Sequence, residues 1–325
     1  MLSATLYNAY TASSAICAGV QTGLLEAVRK DRKVDVCAFS IANGLDDYVM
    51  HAVCEAMAGH RILDIVQTDQ LVVAEGPEFD DIYRNKGYFL WLVRGYGDML
   101  SRVGELADID AAFEAANTRC GRSIAQSGRD YGAQFVDPIV TETIAGMSFS
   151  VMADLGCGSA NRVIHLARLH PTKRFVGVEM NAGAVEVARA AVAESGMSDR
   201  VEIVHDDVRR LREREVYQEV DTVLSFFLGH DFWPREDCLA TLSQIRDRLP
   251  NAGHFLLADT YHSATVTGEA PIFTSGFELT HAVMRQKVPT VAQWEDLFLE
   301  SPWKLERRIP LDIAYSEIFH LTPEC

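Results

Sequence analysis

Two histidines in this 325-residue chain stand where an imidazole can do chemistry. His230 lies in FFLGHDFWPRE (226–236), a Gly-His-Asp run that follows an apolar stretch and precedes Pro234. An imidazole ionises near neutrality, so at such a strand end it can act as a general base. His281 lies in PIFTSGFELTHAVM (271–284), a stretch with helical spacing. Two neutral imidazoles from different segments, with positions left open between them, also suit a divalent transition metal such as Fe(II). The residues alone leave both uses open, and a plain turn built from His and Asp is the bland alternative. Asp231, beside His230, is then a base or an orienting group.

A second constellation precedes them. DLGCGSAN (154–161) joins an apolar run to a helical one, and Gly156 and Gly158 let the backbone turn tightly and approach a ligand. A dinucleotide fingerprint would place a third glycine where this chain has Asn161, so pyrophosphate binding is disfavoured. Glu179 ends the next apolar run, where an acid can hold a ribose diol. Asp207 ends the one after, placed for the exocyclic amine of an adenine.

The elements that must position these residues are legible as alternation. VMADLG, RFVGVEM, RVEIVHDD, VDTVLSFFLG and HFLLADTY read as strands; NRVIHLARLH, AGAVEVARAAVAESG and REDCLATLSQIRDRL read as the helices between them. That order predicts a doubly wound parallel α/β sheet, closed by KLERRIPLD and SEIFHLTP, with ligands beyond the strands' carboxyl ends. Residues 1–145 differ. SAICAGVQTGLLEAV, DDYVMHAVCEAMAGHRIL and YFLWLVRGYGDMLSRVGEL repeat apolar residues at helical spacing, and IVQTDQLVVAEG alternates like a hairpin. The chain is therefore predicted as two domains: a mostly helical, winged-helix-like half over 1–145 that covers substrate, and an α/β half over 146–325. The amphipathic helices of the first half carry more apolar surface than one small domain buries, so a homodimer is expected.

Composition narrows the partners. Asp and Glu number 46 against 30 Lys and Arg, a formal charge of −16. Such a chain repels phosphate backbones and anionic lipid, which argues against nucleic acid and membrane as partners and favours a small-molecule substrate. Seven cysteines without a CxxC pair read as free thiols in a reducing compartment. With no signal peptide and no apolar run of spanning length, the expectation is a soluble cytoplasmic protein.

Over residues 150–325 the glycine loop and the strand-end acids resemble the seven-strand S-adenosylmethionine-dependent methyltransferases, whose sheet is Rossmann-like. The resemblance implies that S-adenosylmethionine lies with its methionine end among Asp154, Gly156 and Gly158, its ribose on Glu179 and its adenine on Asp207. Ala160 departs from the pattern, which has glycine there. A run similar to His-Asp-Phe-Trp follows the fourth strand in small-molecule O-methyltransferases, and there the histidine deprotonates a phenol. The pair GHDFWPRE and FTSGFELTH is more specific: it resembles the iron-dependent α-keto acid C-methyltransferases of antibiotic biosynthesis. That likeness implies that His230 and His281 hold Fe(II) or another divalent metal and that a keto acid chelates it. NTRCGRSIAQSGRDYGAQFVDP (117–138) matches a segment of that family in which an arginine, here Arg119, reaches the substrate carboxylate; Trp91 matches an aromatic near the substrate side chain. Within the family the expected substrate is 5-guanidino-2-oxopentanoate (2-ketoarginine), with Asp98 or Glu278 as partners for its guanidinium. Phenylpyruvate and branched aliphatic keto acids are the other candidates.

Overall fold

A computed structural model describes residues 2–108, 118–263 and 270–324. The chain divides into two compact units, Met1–Gln134 and Phe135–Cys325. The changeover falls about a helix earlier than the one near residue 145 expected from the sequence.

The first unit is helical around a small sheet: α1 (Leu2–Thr22), α2 (Leu24–Asp31), β1 (Lys33–Asp35), α3 (Val36–Asn43), α4 (Asp47–Ala58), β2 (Leu63–Gln67), β3 (Val72–Glu75) and α5 (Phe79–Phe89), then α6 (Gly97–Leu100), α7 (Val103–Leu106) and α8 (Gly121–Tyr131). The stretch predicted as one helix through SAICAGVQTGLLEAV is broken at Gly23, whose φ of 78° ends α1 and starts α2. Asp35 and Asp46 cap α3 and α4 by accepting the amides of Ala38 and Val49, each at 3.0 Å. The predicted hairpin is β2–β3, and β1 adds on the far side of β3 to give a three-stranded sheet, the wing. The region read as a helix over YFLWLVRGYGDMLSRVGEL is instead the end of α5, a π-helical turn (Leu90–Gly95), α6 and α7. Gly95 explains part of the break: a Cβ there would stand 2.9 Å from Ile124 Cγ1, so the turn packs closer to α8 than a side chain allows.

The second unit runs α9 (Asp137–Ala145), β4 (Val151–Leu155), α10 (Asn161–Leu169), β5 (Arg174–Glu179), α11 (Ala182–Glu194), β6 (Val201–His205), β7 (Thr222–Phe226), α12 (Arg235–Arg248), β8 (His254–Thr260), α13 (Thr274–Val283), α14 (Val291–Phe298), β9 (Trp303–Pro310) and β10 (Ser316–Pro323). Its seven-stranded sheet has the order β6-β5-β4-β7-β8-β10-β9. The first five strands are parallel; β10 alone runs against its neighbours. Strand β4 is buried at every residue and β8 at all but its first, as expected of strands covered on both faces. The chain steps from β4 outward to β6, then returns to β4's other side with β7. The carboxyl ends of β4 and β7 thus flank the switch point where such sheets hold ligands. Among the described residues no helix is long and apolar enough to cross a membrane.

Candidate active site

The loop after β4 is built for backbone contact. Gly156 and Gly158 take φ of 82° and 54°, and Ala160, at the start of α10, takes 61°. A Cβ at Gly156 would strike Leu228 at 2.8 Å, whereas one at Gly158 would meet nothing within 4 Å, so the loop is open at its second glycine. Ala160 adopts the left-handed conformation that glycine takes most readily. A single methyl tolerates it at a cost of about 1 kcal/mol. Glu179, at the end of β5, accepts the Gly158 amide (3.1 Å) and the Asn181 amide (2.8 Å), bracing the loop. Asp154 is buried; its burial pushes the carboxyl up to about 6 against the pull of Arg162. The Arg162 guanidinium bonds Asp137 at 2.8 Å and lies 3.9 Å from the centre of the Phe226 ring.

After β6 two aspartates divide the work. Asp206 is buried and, despite that burial, is held below the usual carboxylate range by the Arg212 amide and the Arg214 and Arg212 guanidiniums. Tyr217 Oη donates to it as well, at 3.2 Å. Asp207 is half-buried; it caps the following turn through the Arg209 amide (3.0 Å) and meets the Arg209 side chain at 3.3 Å. Sequence reasoning named Asp207 and overlooked Asp206, whose role is to fasten the loop.

At the ends of β7 and β8 lies a buried cluster. Both histidines are at most 5% exposed. Asp259, fully buried near the end of β8, accepts His230 Nδ1 at 2.7 Å and the His230 amide at 2.6 Å. Gly229 makes this possible: a Cβ there would stand 2.7 Å from Asp259 Oδ2. On α13, His281 Nδ1 meets the Phe277 carbonyl at 2.7 Å. Carboxylates and carbonyls only accept, so each Nδ1 must carry the hydrogen. Both Nε2 atoms are then lone pairs, yet they face each other at 3.1 Å.

Two lone pairs at that distance repel unless a cation lies between them. A proton is one such cation. Burial opposes charge on His230, but the Asp259 carboxylate and its hydrogen bond outweigh it, with help from Asp231, and push the imidazole up to about 9. A metal ion is the other. An imidazole nitrogen binds such an ion at about 2.1 Å, so two on one ion at right angles stand about 3 Å apart. Metal-ligating histidines ordinarily donate the second ring N–H to a carboxylate or carbonyl, as both do here. The residues therefore fit a two-histidine metal site. Among the described residues no group of three or more His, Cys, Asp or Glu side chains forms a complete cage.

Asp231 sits at the rim. Its Oδ1 is 3.9 Å from His230 Nε2 and accepts Gln286 Nε2 at 2.7 Å. Asp259, not Asp231, orients His230. It escaped the sequence reading although an acid ending HFLLAD follows the rule that singled out Asp154 and Glu179. Glu278, on α13, accepts the Ser263 amide (2.7 Å) and hydroxyl (2.6 Å). In the other unit Trp91 is buried against Tyr96, with ring centres 4.5 Å apart, and Arg119 and Asp98 are exposed.

A methyltransferase-domain family pattern matches residues 152–253. Methyltransferase ungE' of Aspergillus campestris is 32% identical over 330 residues, covering 98% of this chain and 96% of that protein. Among solved structures, mitomycin 7-O-methyltransferase superposes with a TM-score of 0.72 at 16% identity, over 99% of this chain and 97% of the other. Human N-acetylserotonin methyltransferase, in complex with S-adenosylmethionine, gives 0.76 at 13% identity, over 100% and 97%. At those identities the two structures speak for the fold alone. Kinship rests on the full-length relative together with the matched domain. The chain belongs to the S-adenosylmethionine-dependent methyltransferases.

Proposed function

We propose that this enzyme methylates the β-carbon of an α-keto acid chelated to a divalent metal, ferrous iron foremost. The leading substrate is 5-guanidino-2-oxopentanoate; phenylpyruvate and branched aliphatic keto acids are the alternatives. The observation that carries this reading is the two Nε2 atoms facing each other at 3.1 Å while each Nδ1 meets an acceptor. Bound metal supplies Lewis-acid stabilisation of the charge that builds on the keto oxygen as the β-proton leaves. Bound S-adenosylmethionine supplies an electrophilic sulfonium methyl to the carbanion.

The chain's residues do the remainder. His230 and His281 hold the metal, and Asp259 keeps the hydrogen on His230 Nδ1 so that Nε2 faces inward. Phe277 packs on both imidazoles, with ring centres 5.3 and 3.9 Å away, and keeps water off them. Asp231 takes the β-proton; its carboxylate is on the same side as the Nε2 pair. Asp154, Gly156 and Gly158 receive the methionine end of the cofactor, Glu179 its ribose and Asp207 its adenine. Arg119 and Trp91 keep the roles that the resemblance implies for them, toward the substrate carboxylate and side chain. Methyl transfer between two held reactants needs mainly this positioning.

The second reading, O-methylation with His230 as general base, draws support from the Asp259–His230 bond. It is the weaker one, because it gives no role to His281, whose Nε2 faces that of His230 at 3.1 Å. A mass-spectrometric methyl-transfer screen over keto acids and phenols, with and without chelator, separates them. Transfer to a keto acid that stops with chelator supports the metal reading; transfer to a phenol by metal-free protein replaces it. The proposal includes a homodimer through the N-terminal unit, where Leu2, Leu6, Tyr7 and Tyr10 lie exposed along α1. Light scattering at micromolar concentration should give the dimer mass; a monomer would remove this part.

A further inference from the structure

Helix α13 ends in a turn that reaches back to the other histidine's segment. Arg285 takes φ of 57°, its amide donates to the Ala282 carbonyl, and the Gln286 amide donates to the His281 carbonyl, each at 2.9 Å. This is the pairing of a Schellman-type helix end, with Arg285 in the left-handed position. It fixes Gln286 to the residue that brings His281 into the site. From there the Gln286 side chain crosses to the loop after β7 and donates Nε2 to Asp231 Oδ1 at 2.7 Å. A carboxylate only accepts, so the amide must present its nitrogen there. Its Oε1 is buried with no hydrogen-bond partner among the described residues, which marks the orientation as imposed by Asp231.

The Asp231 carboxylate has little else to hold it. It is about one-third exposed, and among the described residues its other close group is His230 Nε2 at 3.9 Å. One turn of chain therefore carries both the second histidine and the clamp on the acid beside the first.

We propose that Gln286 is a positioning residue for the methyl-transfer reaction, holding the Asp231 carboxylate on the open side of the His230–His281 pair. This rests on the proposed function above. The inference concerns where the carboxylate stands, and Gln286 itself touches neither substrate nor metal. Without the amide, Asp231 swings toward solvent and the site loses its ordered oxygen.

The test is a double-mutant cycle with Gln286→Leu, Asp231→Ala and the double variant, in the full-length protein. Cobalt(II) affinity is read by its absorbance bands, and kcat and KM are read on the best acceptor from the substrate screen. Binding of S-adenosylhomocysteine by calorimetry checks that each variant is folded. Gln286→Leu should weaken cobalt binding or kcat about 10- to 100-fold, with KM nearly unchanged, as loss of an outer-sphere partner does. In the Asp231→Ala background the same change should do nothing further, because a clamp without its carboxylate has no work. Gln286→Asn, too short to reach, should resemble Gln286→Leu. Equal losses in both backgrounds, or no loss in either, would overturn the proposal. Wild type that takes up no cobalt would sink the metal reading instead, and the kcat cycle would still decide Gln286.

Discussion

Among the described residues of the second unit, two histidine pairs each bring ring nitrogens to 3.1 Å, one pair buried and one half-buried, and they are chemically opposite. In the His254–His320 pair, Arg307 Nε donates to His320 Nδ1 at 3.3 Å. That nitrogen must be bare, so His320 Nε2 carries the hydrogen and donates it to His254 Nδ1. The pair is an ordinary neutral hydrogen bond. Burial first, then the neighbouring His254 and Arg307, lower His320 to about 4. In the His230–His281 pair the outer partners are acceptors, so both inner nitrogens are left bare, and Asp259 draws positive charge in. Distance alone does not distinguish a metal or proton site from packing; the groups behind the rings do.

The largest expected effect breaks the second pair's support. Asp259→Ala leaves His230 Nδ1, its amide and the Thr260 amide without their buried acceptor, and removal of one partner of such a pair costs about 3–5 kcal/mol. Urea denaturation would measure it. A loss under about 1 kcal/mol would mean that Asp259 does not organise the cluster. His320→Leu should cost less, about 1–3 kcal/mol from the unpaired His254 nitrogen, and should leave metal uptake untouched. Metal loss in that variant would erase the contrast between the pairs.

The pairs should also tilt the pH dependence of metal-free protein in opposite senses. His230 is raised from 6.5 to about 9, so its stabilisation is full below about pH 6.5 and is lost as pH rises through 9. His320 is lowered from 6.5 to about 4, so the unfolded chain binds a proton that the folded one refuses. Stability therefore falls as pH drops from 6.5 through 4. Asp259→Asn should flatten the alkaline limb and His320→Leu the acid one, by thermal melts across pH. The smallest effect belongs to Arg307→Leu. Without the guanidinium facing it, His320 should titrate nearer its ordinary range and shorten the acid limb slightly, which imidazole NMR would follow.

Much of this was legible in the chain. Buried parallel strands read as apolar runs, so VMADLG through HFLLADTY marked the sheet, and the glycine loop and Glu179 declared themselves by standing at strand ends. His230 and His281 were visible as types and settings. Their tautomers were not, because Asp259 meets His230 across 29 positions only when β7 and β8 pair in the register Phe226↔Ala258. The His254–His320 pair was invisible for the same reason; it exists because β10 runs antiparallel beside β8. Gln286 depends on a helix ending in a left-handed Arg285, which no turn residue advertises. The break at Gly23 was readable from the glycine itself, but apolar periodicity ran straight through it.

One comparison tests the metal reading most directly: metal content of purified protein after incubation with ferrous iron under anaerobic conditions, for wild type, His281→Ala and His320→Leu. Wild type and His320→Leu should each retain one ion per chain, and His281→Ala should retain none while still binding S-adenosylhomocysteine. Retention by His281→Ala equal to wild type, or full methyl transfer by metal-free wild type, would contradict it and leave His230 with a shared proton.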